Sequence, residues 1–424
     1  MSVRNTTIAA EALDARWFLA LKSIKRPLLL HSLALDSAFL ALEKIKVIEE
    51  DGYNPVFRYS TLDISSIKVA LAALLQLREQ VCQEESNKSI AELYKGRLAE
   101  LILEQEILLA SVQGDWNAFN ALNHKLYGEV NQDFAHELLS VVQQKTSVLN
   151  EMFHIKLSAL PVVPSQALFD KARQVVKGPD IAVVPDVVYS SENIVAVWNE
   201  SLLDTMPKWR TVIDTRVMAL LVAHKSRTIK IPPNLKMKAK RMRKLFVHEI
   251  GTHVYRREQG KHNKLQLYSI GLAGNQIIEE GLAIMRSQLL GNKFHYYGGF
   301  DKYLALAYAQ GTVDGSPKDF NQTFNFLKAY FLDRLDRKSE RQQNQTIAEE
   351  RAWNCTVRIF RGGNPSIPGC CLLRDKIYHE GNRAIWQMFE TNPEHFRIIM
   401  LGKFNPEDDL QRQMCIEYTN LTVT

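Results

Sequence analysis

From about Ala9 to Val148, apolar residues recur every three or four positions with charged residues between them. That is the spacing of one helix face. Ile64 to Glu84 is rich in Leu, Ala and Val at this period, and Asp63 before it predicts an N-cap. Ile90 to Val112 repeats the pattern and should stop near Gly114. Asp115 then caps a third helix running to Tyr127, with Gly128 as its stop. Leu stripes alternating with Glu-rich and Lys-rich faces predict helix-on-helix core rather than a binding surface. A Pro-containing break, Pro161-Val162-Val163-Pro164, separates this bundle from the rest.

After residue 180 the period shortens. Ile181 to Tyr189, Ile194 to Trp198, Thr211 to Val222 and Thr228 to Ile231 are short, β-branched and partly alternating, which predicts a small sheet closed by Pro232-Pro233. A helix follows from about Lys236 to Glu258, stopped at Gly260, and another runs from about Gln276 to Leu290. Ser316-Pro317 predicts the start of a long helix, Lys318 to about Glu340. Val357 to Tyr378 is different in character, with Arg358-Ile359-Phe360-Arg361-Gly362-Gly363 and a Pro/Gly loop. A last helix runs from Asn382 to Phe389 or beyond. The expected fold is α+β and mainly α-helical, with a helical region over 1–160 and a second domain over 165–424 that holds the small sheet.

The polar residues inside the Lys236 helix carry the chemistry. His248-Glu249-Ile250-Gly251-Thr252-His253 and, downstream, Glu279-Glu280-Gly281-Leu282-Ala283 supply two imidazoles, a neighbouring carboxylate and a distant one. These are the parts of a catalytic zinc site. The common motif has two residues between Glu and the second His, and this one has three. On a regular α-helix, residues five apart diverge by about 140°. A π-bulge, with its i→i+5 bond, would bring them back into line, and Gly251 is the residue whose backbone would most cheaply distort. Leu245, Phe246, Val247, Ile250 and Val254 surround the polar residues, so the motif should be buried. Burying two His and a Glu without a partner is costly, and a metal removes that cost.

Composition adds less. The chain has 424 residues, 46% of them hydrophobic, enough for one large domain or two moderate ones. Its net charge of +6 is uneven. Lys225, Arg227, Lys230, Lys236, Lys238, Lys240, Arg241, Arg243 and Lys244 form a run without an acidic residue, leading into the His-Glu helix. Such a run suits an acidic peptide, and nucleic acid is the weaker reading; a solvated helix entry is the plain alternative. The five cysteines, Cys82, Cys355, Cys370, Cys371 and Cys415, lack disulfide or zinc-knuckle spacing and are expected as free thiols in a reducing compartment. The first sixteen residues have no apolar core of a signal peptide, and no apolar run reaches the roughly 20 residues of a membrane span. A cytoplasmic protein without a membrane partner is expected.

The chain resembles the microtubule-associated tyrosine carboxypeptidase family, whose bacterial relatives are called QEGLA-motif proteins. The resemblance rests on His248-Glu249-Ile250-Gly251-Thr252-His253-Val254, Gly271-Leu272-Ala273-Gly274 and Glu280-Gly281-Leu282-Ala283. The Arg358-Ile359-Phe360-Arg361-Gly362 stretch and Lys376-Ile377-Tyr378 with Gly381 add to it. Glu279 stands where bacterial relatives often have Gln, and Asn275 where an aromatic is expected. The resemblance implies a zincin-like metallopeptidase core behind a helical N-terminal part, acting on the C-terminus of a peptide or protein to release tyrosine or another aromatic residue. It favours Glu280 over Glu279 as third ligand, because that ligand often precedes a Gly-aliphatic-Ala turn.

On this reading His248, His253 and Glu280 hold Zn²⁺ and leave a fourth position for water. Glu249 takes that water's proton and passes it to the leaving amine. The substrate carboxylate needs a cation, for which Arg358, Arg361 and Lys376 are candidates, Arg361 first. Tyr378 or His379 would donate to the developing oxyanion. An endopeptidase with an open cleft and a catalytically silent metal-binding interaction protein are the other classes that fit these residues.

Overall fold

The computed structural model describes residues 12–59, 63–143, 163–335 and 341–419. It is mainly helical with two small sheets, an α+β fold. In the N-terminal third, α1 (Ile64–Glu84), α2 (Lys88–Gln113) and α3 (Trp116–Tyr127) follow the local signals. Asp63 accepts from the Ser65 amide at 2.9 Å, and Asp115 from that of Ala118 at 3.0 Å. Gly114 ends α2 in the left-handed region, at φ 69°. The expected break at Pro161-Val162-Val163-Pro164 lies largely outside the described residues.

The N-terminal helices share a core with later parts of the chain. Leu74 and Val81 of α1 and Tyr94, Leu98 and Leu101 of α2 pack with Leu267, Tyr268, Leu272, Phe404 and Cys415. The buried Asp14 ties the start of the chain into this core, accepting from Tyr94 Oη at 2.8 Å and from the amides of Gln266 and Leu267. Burial raises its pKa against these hydrogen bonds. The result is that α2 lies beside the segment leading into the Glu279-Glu280 helix.

The strand region is smaller than its β-branched content suggests. β1 (Val188–Ser190) pairs antiparallel with β5 (Lys236–Lys238). β2 (Arg210–Ile213), β3 (Leu221–Ala223) and β4 (Thr228–Ile231) form a sheet of order β2-β4-β3, with β2 parallel and β3 antiparallel to β4. Ile194 to Trp198, expected as a strand, lies inside a helix, α4 (Ser191–Thr205). Its buried residues Ile194, Trp198 and Leu202 fall four apart, and Ser190 caps the helix. Most of Ile181 to Tyr189 is a loop turning at Asp186, and Thr211 to Val222 is broken at Asp214, which accepts from the Arg216 amide.

The helix that carries His248, Glu249 and His253, α5, runs over 239–260 and starts three residues late because Lys236–Lys238 belongs to β5. It is α-helical over Ala239–Leu245, π-helical over Phe246–Val254 and α-helical again over Tyr255–Gly260. Its Met242, Phe246, Ile250 and Val254 pack against Trp198 of α4 and Ile229 and Ile231 of β4. Then come α6 (Asn275–Gln288), α7 (Phe300–Ala309), α8 (Phe320–Asp333), α9 (Arg341–Phe360) and α10 (Lys376–Thr391). The Ser316-Pro317 start is displaced to Asp319, which forms a capping box with Gln322, because the Lys318 amide is bonded to Ala309 O. Arg358-Ile359-Phe360 ends α9 instead of standing in a loop, and α10 begins six residues before Asn382. Helices α6 and α10 cross in very close contact. A Cβ on Gly281 would lie 2.2 Å from Gly381 O, and one on Gly381 would lie 2.1 Å from Ile277 O.

Of the basic run, Lys230 pairs with Asp214 at 2.8 Å and Arg243 with Asp180 at 2.6 Å. Lys236 and Lys238 point outward on either side of the buried Met237. The five cysteines are unpaired, and four of them are buried. Among the described residues no helix is long and apolar enough to cross a membrane.

Candidate active site

The π-helical segment sets the site. The Tyr255 amide donates to Ile250 O, five residues back, and the Thr252 hydroxyl to Val247 O at 2.8 Å. This winding puts the His248 and His253 rings 5.0 Å apart, centroid to centroid. Gly251 has a role other than backbone freedom: a Cβ there would lie 2.4 Å from Pro179 O. Arg286 of α6 fills the neighbouring space, donating to Gly251 O, to Thr252 Oγ1 at 3.1 Å and to Pro179 O at 3.0 Å. The Gly251 carbonyl of the wider turn therefore has a buried cationic donor.

From α6, Glu280 Oε2 stands 3.6 Å from His248 Nε2 and 3.7 Å from His253 Nε2. These are too long for hydrogen bonds. Ligand atoms around a tetrahedral zinc ion, with bonds of about 2.0–2.1 Å, stand roughly 3.3 Å apart. One donor atom from each of His248, His253 and Glu280 falls within 4.8 Å of the others, so the set fits such an ion. Glu279 points elsewhere. It accepts from His253 Nδ1 at 2.8 Å and from Arg256 Nη1 at 2.8 Å, and forms an ion pair with Lys403 Nζ at 2.8 Å. Arg256, fully buried, also donates to Ile399 O and Phe404 O. With Nδ1 taken by a carboxylate, Nε2 is the ring nitrogen of His253 that faces Glu280.

The charges follow this layout. Burial works against ionised Glu279, but Lys403, Arg256 and His253 outweigh it and hold its pKa far below the usual carboxylate range. Burial also opposes ionised Glu280, which the two histidines and Arg374 keep below its ordinary value. For His253 burial disfavours charge, yet Glu279 and Glu280 raise its pKa.

These groups line a cleft of about 390 Å³ with Glu249, Val222, His224, Arg97, Gln276, Arg374 and Tyr378. Val222 lies on β3, an outer strand of its sheet, and His224 directly follows that strand, so a strand without a second neighbour among the described residues borders the cleft. Tyr378 reaches it from α10, three residues before Gly381, with its hydroxyl 3.3 Å from Arg358 Nη2 and 3.5 Å from Arg374 Nη1.

The remaining residues singled out in the sequence stand outside the cleft. Arg358 is bound through two nitrogens to Asp375, and its guanidinium lies over the Tyr378 ring. Arg361 is half-buried, and burial and the neighbouring Arg358 lower its pKa. Lys376 donates to Glu129 O and pairs with Glu380 at 3.3 Å, so its charge is committed on the far side of α10. His379 is buried against Tyr303, Tyr297 and Phe134 and bonds Gly298 O through Nδ1 at 3.0 Å. In their place the cleft holds Arg374, Arg97 and Lys403. Arg374 stands four residues before Tyr378, a one-turn spacing that could have marked it. Arg97 and Lys403 carry no such local sign.

A family model described as microtubule-associated tyrosine carboxypeptidase matches residues 48–295. The chain belongs to this family. The matched stretch holds α1 to α6, and therefore His248, Glu249, His253 and Glu280, as well as Arg97; Arg374 and Tyr378 lie beyond it. No curated protein matches the chain.

Proposed function

We propose that this chain is a zinc-dependent carboxypeptidase that removes a C-terminal tyrosine or other aromatic residue from a peptide or protein. The carrying observation is the convergence of His248 Nε2, His253 Nε2 and Glu280 Oε2 beside Glu249, in a cleft of a chain from this family. His248, His253 and Glu280 would hold the ion, which when bound acts as a Lewis acid toward a carbonyl and brings the pKa of water toward 7. Glu249 follows a ligand directly on α5, borders the cleft and is half-buried. It takes a proton from the attacking water and delivers it to the departing amine. Tyr378, its hydroxyl steadied by Arg358 and Arg374, donates to the oxygen on which negative charge develops. Burial raises the Tyr378 pKa, which keeps the phenol protonated for that task. The free edge of β3 can pair with the extended chain ahead of the scissile bond. The unpaired lysines of the basic run suit an acidic tail on that chain.

Metal analysis of the purified protein, followed by mass spectrometry of peptides ending in Tyr, Phe or other residues, tests the reading. Stoichiometric zinc and loss of one aromatic residue, abolished in Glu249→Gln, are the expected results. Absence of metal, or intact peptides throughout, would sink it.

A further inference from the structure

An enzyme that cuts only at a chain end must recognise that end. A terminal carboxylate has no counterpart inside a chain, and burying it requires a cation without another partner. On the cleft wall, Arg374 is a cation held by long contacts to shared partners. Its side chain is 15% exposed, and its Nη1 stands 3.5 Å from Tyr378 Oη and 3.8 Å from Asp375. Asp375 is already held through two nitrogens of Arg358.

A second, independent observation marks the same wall. Arg97 is 7% exposed, and its Nε has no hydrogen-bond partner among the described residues. Gln276 Oε1 and Tyr127 Oη are buried and unpartnered as well. Arg97 and Gln276 line the cleft, and Gln276 is shared with an adjoining recess of about 130 Å³ that Tyr127 lines. Arg97 is steered from α2, where its Nη1 donates to Glu100 at 2.8 Å while Glu100 Oε1 accepts from the Gly274 amide at 2.7 Å. Buried polar atoms without partners are few in folded proteins, and two on the cleft wall with a third in the adjoining recess point to a polar ligand.

We infer that Arg374, assisted by Arg97, binds the C-terminal carboxylate of the substrate, and that Gln276 and Tyr127 bond polar groups of the same terminal residue. The inference rests on the carboxypeptidase reading. It gives α2 a direct part in the site and replaces Arg361 as the anchor. Two guanidinium groups on a carboxylate form charge-assisted hydrogen bonds that an amide end cannot accept in the same way.

The test uses full-length Glu249→Gln protein loaded with zinc, so that binding is read without turnover. Calorimetry compares a peptide ending in tyrosine as free acid with the same peptide as C-terminal amide. The free acid should bind roughly 100-fold more tightly. Adding Arg374→Gln should bring it down to the level of the amide, and Arg97→Gln should remove part of the preference. Arg374→Lys keeps a charge at the site and should recover a fraction of it, which also guards against misfolding of the Gln variant. A free-acid preference that survives Arg374→Gln in folded protein overturns the assignment. Tyrosine release by the wild type would then leave the carboxypeptidase reading standing. No release of any residue by the wild type, with no acid preference in Glu249→Gln, would remove both.

Discussion

His253 and His379 are both enclosed, and each makes one hydrogen bond through Nδ1, yet their surroundings give them opposite characters. The partner of His253 is a carboxylate locked by Arg256 and Lys403, and its Nε2 faces a second carboxylate across a cleft. The partner of His379 is the neutral carbonyl of Gly298, and its Nε2 is buried among aromatic rings without a partner among the described residues. Burial disfavours charge on both. Carboxylates overcome it at His253 and raise the pKa, whereas at His379 burial, aided by Arg383, lowers the pKa to about 4. The difference teaches that a histidine's role is set by what holds its other nitrogen.

The sharpest way to break this contrast is to remove each ring. His253→Ala should lose bound zinc and at least about 10³-fold in kcat/KM, equivalent to about 4 kcal/mol, read by metal analysis and peptide assay. His379→Gln should keep zinc and change mainly the melting temperature. If His379→Gln abolished metal binding while His253→Ala did not, the two roles would be reversed. Next in size is Gly251→Ala, which pushes a methyl into Pro179 O and should destabilise the fold by about 1–3 kcal/mol, measured by denaturant titration.

The pH dependence of folding has a definite sign at His379. Its folded pKa of about 4 lies below the unfolded value of about 6.5, so the unfolded state takes up the proton first as pH falls. Stability should therefore drop by up to about 3 kcal/mol between pH 6.5 and 4. His379→Gln should flatten that part of the profile in urea titrations; an unchanged slope would count against a neutral, buried ring. The raised pKa of His253 acts in the other direction in metal-free protein, adding stability below pH 6.5 that fades as pH rises. The smallest effect on the metal is expected for Glu279→Gln, which loses the charge behind His253 and also leaves the buried Arg256 without its carboxylate, so the fold should lose stability as well. Zinc affinity should weaken about 10–100-fold in chelator competition.

What could be read from the sequence was local. α1 and α3 follow from Asp63 and Asp115 acting within their own first turns, and Gly114 stops α2 by its own backbone conformation. His248, Glu249 and His253 are legible because they stand within six residues of one another. Their winding was also legible, since only a widened helix lets residues five apart meet. Long-range placement was not. Ile194 and Trp198 read as strand until Trp198 is seen packing on Phe246 of α5. Lys376 and Arg358 are cations in the sequence, but Glu129 O and Asp375 use up their donors. Arg97 and Arg374, 277 positions apart in number, line one cleft because α2 packs beside the start of α6 while α10 crosses it at Gly281 and Gly381.

The π-helical stretch has one more implication. Each i→i+5 bond over Phe246–Val254 encloses one residue more than the i→i+4 bond of a regular helix. The surplus is absorbed locally, and Tyr255–Gly260 resumes ordinary winding with Arg256 against Glu279 and Gly260 against the backbone of Tyr268. The motif thus behaves as the shorter, common one carrying a single-residue insertion that leaves the downstream phase undisturbed. Deleting one position between Glu249 and His253 would restore the shorter spacing without turning the rest of the helix away from its neighbours.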